Sequence, residues 1–158
     1  MSLKNESVST TSDREIIIER VFNAPQELVF KAWTSPENLG KWWGPTGFTT
    51  TTHEMEFKPG GVWRFMMHGP DGTDFPNIVR YKEIEPPHRI TYAQGNDVDP
   101  EMFEATITFT PQEGNKTHLQ LKTVFHSAEV CEEVKTKYGA VEGGHQTLAR
   151  LAEYLEQQ

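Results

Sequence analysis

From Thr49 to His126 the chain alternates apolar and polar residues in six consecutive runs: Thr49 to Phe57, Val62 to His68, Phe75 to Ile84, Arg89 to Gln94, Met102 to Thr110 and Thr117 to His126. A period of two sends successive side chains to opposite faces of an extended chain, so each run reads as a strand with one face free to join a core. The separators are turn formers: Pro59-Gly60-Gly61, Pro70-Asp71-Gly72, Pro86-Pro87, Asn96 to Pro100 and Gln112 to Asn115. Sequential strands on short links are usually antiparallel neighbours, which predicts one curved sheet.

Upstream, Glu15 to Phe22 is rich in β-branched residues and adds a strand at the sheet edge. It stops at Asn23-Ala24-Pro25, where proline suits the first turn of a helix. Leu28, Val29, Ala32 and Trp33 then recur at helical spacing, and Ser35-Pro36-Glu37 opens a second short helix presenting Leu39, Trp42 and Trp43. Residues 1–13 carry too little apolar surface to offset the entropy of ordering, so a flexible tail is expected ahead of one domain at 14–158. The apolar face of the sheet needs a cover, and the long helical pattern for it runs from about Gly139 to Glu156, striped by Val141, Leu148, Leu151, Ala152 and Leu155. Gly143 and Gly144 inside that pattern imply a close backbone approach, a local kink, or a helix that starts just after them. The order is β-α-α-β-β-β-β-β-β-α, an α+β chain with a sheet of about seven strands, two short helices after the first strand and a long C-terminal helix across the sheet.

Several function classes are disfavoured. A formal net charge of -8 without a Lys/Arg-rich run argues against nucleic acid as a partner. No apolar stretch approaches a membrane span and residues 1–13 lack the apolar region of a secretory signal, so no membrane insertion and a cytoplasmic location are expected. The lone cysteine, Cys131, lies among Glu129, Glu132 and Glu133, a setting that disfavours a thiolate. The six histidines show no i, i+4 pair; a strand-borne site at His53 and His68 is a weak candidate, and no metal or cofactor is expected. Neither a nucleophile elbow nor a phosphate-binding loop is present. Acid/base chemistry in a dry pocket has candidates in Arg64, His68, Glu56, Tyr81, Tyr92 and His145, although alternation puts Arg64 and His68 on the face opposite Trp63, where water is the expected neighbour. Trp42, Trp43 and Trp63 lie close together beside Gly-Pro turns, where large rings either wall a cavity or seal one end of a core.

Ordered motifs then carry a resemblance. Ile18 to Pro25, Ala32 to Glu37, Lys41 to Pro45, Pro59-Gly60-Gly61, His68 to Gly72, Glu83 to Ile90 and Leu148 to Leu155 resemble the START-like superfamily of helix-grip proteins. The likeness is to the subgroup related to the C-terminal domain of the activator of the heat-shock chaperone ATPase. It implies a helix-grip fold with an apolar cavity between sheet and C-terminal helix. On that basis the chain is expected to be a non-catalytic binder of a small apolar or amphipathic ligand, the alternatives being a cyclase or hydrolase using one polar cavity residue, or an interaction module with a chaperone as partner. The expected lining begins with Trp33, Trp43, Met55, Phe57, Trp63 and Phe65. It continues through Met67, Tyr92, Phe103, Phe109, Phe125 and Leu148, with an entrance between Gly44 to Gly47 and the Gly143-Gly144 end of the helix. Homodimerisation through an open sheet edge is the remaining expectation.

Overall fold

A computed structural model describes residues 7–158. The elements are β1 Val8–Thr11, β2 Glu15–Phe22, α1 Gln26–Lys31, α2 Pro36–Leu39, β3 Thr49–Met55, β4 Val62–His68, β5 Asp74–Glu85, β6 Arg89–Gly95, β7 Phe103–Gln112, β8 Lys116–Phe125, α3 Ala128–Thr136 and α4 Ala140–Glu156. Local chemistry sets the helix starts. Ser35 accepts a hydrogen bond from the Asn38 backbone N–H with Pro36 in the first turn of α2, and Ser127 does the same for Val130 at the head of α3. Gly139, in the left-handed conformation at φ 59°, turns the chain from α3 into α4.

The strands form one antiparallel sheet in the order β1-β2-β8-β7-β6-β5-β4-β3, and α4 crosses its concave face in a helix-grip fold. Register assigns the concave positions: Ile16 and Ile18 on β2, Leu119, Leu121, Thr123 and Phe125 on β8, Ala105, Ile107 and Phe109 on β7, Ile90, Tyr92 and Gln94 on β6. Val79 and Tyr81 on β5 and Trp63 and Phe65 on β4 extend the same face, and nearly all of these side chains are buried. Burial of this apolar face stabilises by about 25 cal/mol per Å² and fixes register, since a one-residue slip would turn every one of these residues to water.

Two sequence expectations are corrected, and a third, left with alternatives, is decided. Val8–Thr11, assigned to the flexible tail, pairs with Ile16 to Glu19 as an eighth strand; all four residues are exposed, so the pairing rests on backbone hydrogen bonds that leave no apolar signal. Residues 1–6 of that tail lie outside the described residues. The single helix expected after the last strand is two, because α3 is short and buries little besides Cys131. Of the three options for Gly143 and Gly144, the helix runs through both: a Cβ at Gly144 would sit 2.0 Å from Ile18 Cδ1, so glycine lets α4 lie directly on β2.

Candidate functional site

The helices α1 and α2 deliver indoles to one end of the concave face. Trp33 packs edge-on against Trp42 at 4.7 Å and Trp43 at 5.6 Å, and Trp43 meets Trp63 at 5.2 Å. Trp63 stacks on Phe65 at 3.8 Å, while Phe109 reaches Trp33 at 6.2 Å and Phe30 at 5.2 Å, and Phe30 reaches Phe57 at 6.1 Å. These are favourable aromatic geometries, and they fill this end with rings. Two of the indole N–H groups have partners, Trp42 donating to the Ala32 carbonyl at 3.1 Å and Trp63 to the Thr52 hydroxyl at 3.0 Å. Trp33 Nε1 is buried without one.

The twelve residues expected to line a cavity therefore separate. Trp33, Trp43, Phe57, Trp63, Phe65 and Phe109 come together in the ring cluster, with Leu148 of α4 fully buried and Met55 beside Trp63 in the β3–β4 register. Phe103 and Phe125 meet each other at 5.2 Å across β7 and β8, level with Gln94. Tyr92 stands between the two groups, opposite Ala105. Met67 is half-buried and packs at the Gly44 turn, where an added Cβ would lie 3.1 Å from its Cε.

The expected entrance is fastened to α4. Arg150 Nη1 lies 3.0 Å from the carbonyls of Gly44 and Pro45, 3.1 Å from that of Phe48 and 3.4 Å from that of Trp43. Gln146 Oε1 accepts from the Thr46 backbone N–H at 3.1 Å, and the Tyr154 hydroxyl donates to Asn38 Oδ1 at 2.9 Å. Burial pulls the Arg150 guanidinium below its ordinary value, yet it keeps its proton, and the carbonyl dipoles replace the water it has lost. Periodicity names only the apolar stripe of α4 and so misses Arg150 and Gln146, which act on a loop about a hundred residues earlier.

On the concave face polar groups collect on β5 and β6. Gln94 Nε2 donates to Asn77 Oδ1 at 3.0 Å, and Asn77 Nδ2 donates to the Phe75 carbonyl at 3.1 Å. Tyr81 and Tyr92 face one another in register with rings 6.3 Å apart, and burial pushes both phenols well above their ordinary range. They stay neutral at physiological pH, serving as hydrogen-bonding groups and not as bases. Alternation marked Asn77 and Gln94 only as polar residues within strands, giving no signal for a site.

The other acid/base candidates face elsewhere. Arg64 is exposed and pairs with Glu54 at 2.9 Å and Asp97 at 3.8 Å; Glu56 is exposed and pairs with Lys58 at 3.6 Å. His68 bridges Thr51 Oγ1 and Asp74 Oδ1, each at 2.8 Å, on the convex side where it ties edge strand β3 through β4 to β5. His145 bonds the Ser7 hydroxyl. Burial raises the Cys131 thiol, and among the described residues no group of three or more His, Cys, Asp or Glu is arranged to hold a metal. A small cleft of about 80 Å³ lies between β2 and the end of α4, lined by Arg20, Phe22, Ala152 and Leu155.

The model of the activator of Hsp90 ATPase homolog 1-like family matches residues 23–156. The chain belongs to that family. Solved structures share its fold along nearly the whole length. Protein Ms6760 from Mycobacterium smegmatis is 23% identical with a TM-score of 0.84, the match covering 96% of this chain and 97% of that one. A protein from Arthrobacter aurescens is 24% identical with a TM-score of 0.86, over 96% and 92% of the two chains. The AHSA1-like protein from Aeromonas hydrophila is 20% identical with a TM-score of 0.69, over 90% and 92%. Among proteins with curated descriptions none matches this sequence. Among the described residues no helix is long and apolar enough to cross a membrane.

Proposed function

We propose that this family member binds a small apolar or amphipathic molecule between the sheet and α4 and carries out no chemistry on it. The observation that carries the reading is the setting of Tyr92. Its side chain is 95% enclosed, its hydroxyl takes no hydrogen bond from the described residues, and yet that hydroxyl is not a sealed orphan like Trp33 Nε1. Such an atom is within reach of a water-sized group, which supports space at this point of the concave face. Its register neighbours across β7 and β8 are the small residues Ala105, fully buried, and Thr123, half-buried, and the incomplete burial of Thr123 on this face supports space beneath the helix. The groups facing that space are apolar, phenolic or carboxamide, which supports binding over acid/base turnover.

The test is native mass spectrometry of protein purified without added ligand, repeated after denaturation. The expected result is a bound mass in the native spectrum that is released as an apolar compound on unfolding. An apo mass, combined with no binding of neutral aromatic probes in dialysis, overturns the reading. Where the protein pairs with a second copy through its sheet, the edges open to it among the described residues are β1 and β3.

A further inference from the structure

We propose that Tyr92 and Gln94, with Asn77 orienting Gln94, form the polar end of the ligand site and select an uncharged molecule bearing a hydroxyl or carbonyl group over a carboxylate. The inference rests on the reading of the interior as a binding site and adds the chemistry of its occupant. Gln94 is 8% exposed, its Nε2 is committed to Asn77 Oδ1 at 3.0 Å, and Asn77 is itself held by the Phe75 carbonyl. The carboxamide orientation is thereby fixed, and it leaves Oε1 as an acceptor. Like the Tyr92 hydroxyl, that oxygen takes no bond from the described residues and is not a sealed orphan. Tyr92 and Gln94 are two residues apart on β6, so both project from the same face. The pair offers a donor and acceptor at Tyr92 and an acceptor at Gln94, the pattern that satisfies one hydroxyl, or one carbonyl together with a neighbouring donor.

The selection against carboxylates follows from the charge on this face. From β2 through β8 to β4, the concave register positions hold one charged residue, Arg20, while Arg14, one residue ahead of β2 in the row of Phe125, is exposed with its Nε donating to the Phe125 carbonyl at 3.0 Å. Arg20 stands opposite Leu119, whereas Gln94 is level with Phe103 and Phe125, and Leu121 and Thr123 separate those positions along β8. A carboxylate beside Gln94 would find no buried cation on the strands around it, since Arg14 is exposed and spent on a backbone carbonyl, and Gln94 Oε1 would face it with like partial charge.

Equilibrium dialysis of the full chain with 2-naphthol, 2-methylnaphthalene and 2-naphthoate reads this directly, using wild type, Tyr92→Phe and Gln94→Leu. In wild type, 2-naphthoate is expected to bind at least about tenfold more weakly than 2-naphthol. Each variant should weaken 2-naphthol about threefold to tenfold while leaving 2-methylnaphthalene within about twofold. Equal losses for naphthol and methylnaphthalene, or naphthoate binding as well as naphthol, overturn the selection while leaving the binding site standing. Failure of all three probes to bind overturns the site itself. Tyr92→Phe removes one hydroxyl and keeps the ring, so it carries the test even where Gln94→Leu does not fold.

Discussion

Trp33 and Trp42 are both buried, are in ring contact, and differ in one respect. The N–H of Trp42 is satisfied by the Ala32 carbonyl, and that of Trp33 is not. Replacing either with phenylalanine removes similar indole volume, so the transfer and cavity costs largely cancel in the comparison. What remains is a lost hydrogen bond in one case and a relieved desolvation penalty in the other. Trp42→Phe is therefore expected to cost about 2 kcal/mol more than Trp33→Phe, measured by urea denaturation of both; equal losses would show that Trp33 Nε1 is satisfied in solution. Sequence grouped Trp42, Trp43 and Trp63 beside Gly-Pro turns as the wall of a cavity or the seal of a core, and the packing of Trp33 on Trp42 comes from the fold. Nor could sequence show which N–H finds a carbonyl, since that depends on ring rotation within the cluster. Asn77 and Gln94 were illegible for a related reason: a polar residue in an alternating strand is assigned to water until register shows that it shares a face with Val79 and Tyr92.

Among the elements, the six strands of the meander are read from alternation and turn residues because both signals are local. β1 and α3 escape because neither buries an apolar stripe: β1 is an edge strand with every residue exposed, and α3 buries chiefly Cys131. The strand that matters most for the interior is β7, whose Ala105 lies between Tyr92 and Thr123. Ala105 is fully buried while Thr123 opposite it is not, so if the interior is open at Thr123 a slightly larger side chain at 105 can shift into it. Ala105→Val is then expected to change stability by less than about 1 kcal/mol, and β-branching suits a strand. The same change should weaken binding of 2-methylnaphthalene by at least about threefold, since it occupies room the probe needs. In a close-packed interior the added methyl groups would instead cost about 1 to 3 kcal/mol. A melting curve and a binding isotherm on one variant thus separate an open interior from a filled one.

For the whole molecule, what converts a curved sheet and a helix into a closed grip is the Arg150 contact. The guanidinium of a residue on α4 gathers carbonyls of residues 43–48, a segment joining the tryptophan cluster to β3, and so ties the helix to the side of the sheet opposite β2. Gly144 against Ile18 secures the β2 side by close approach, and Gln146 and Tyr154 add hydrogen bonds to the loop and to α2. The close approach at Gly144 was among the options its glycine offered, but the Arg150 contact is not legible from periodicity, because Arg150 and Gly44 are 106 residues apart and only the folded topology brings them together. Since those carbonyls lose their donor together, Arg150→Ala is expected to destabilise by about 2 to 3 kcal/mol. Arg150→Lys should recover part of this, because the carbonyls converge on the single nitrogen Nη1, and a flexible ammonium can reach that position but is held there less firmly. Global destabilisation alone would speed exchange of all slow amides alike. A released latch instead opens one segment, so amide exchange at Thr46 and Phe48 should rise well beyond that of β6 and β7 under native conditions. Release of a bound neutral probe should quicken in parallel if residues 43–48 form the gate. Faster exchange at Thr46 and Phe48 with unchanged release would place the route to the interior elsewhere, whereas a uniform rise in exchange would reduce Arg150 to one contribution to overall stability.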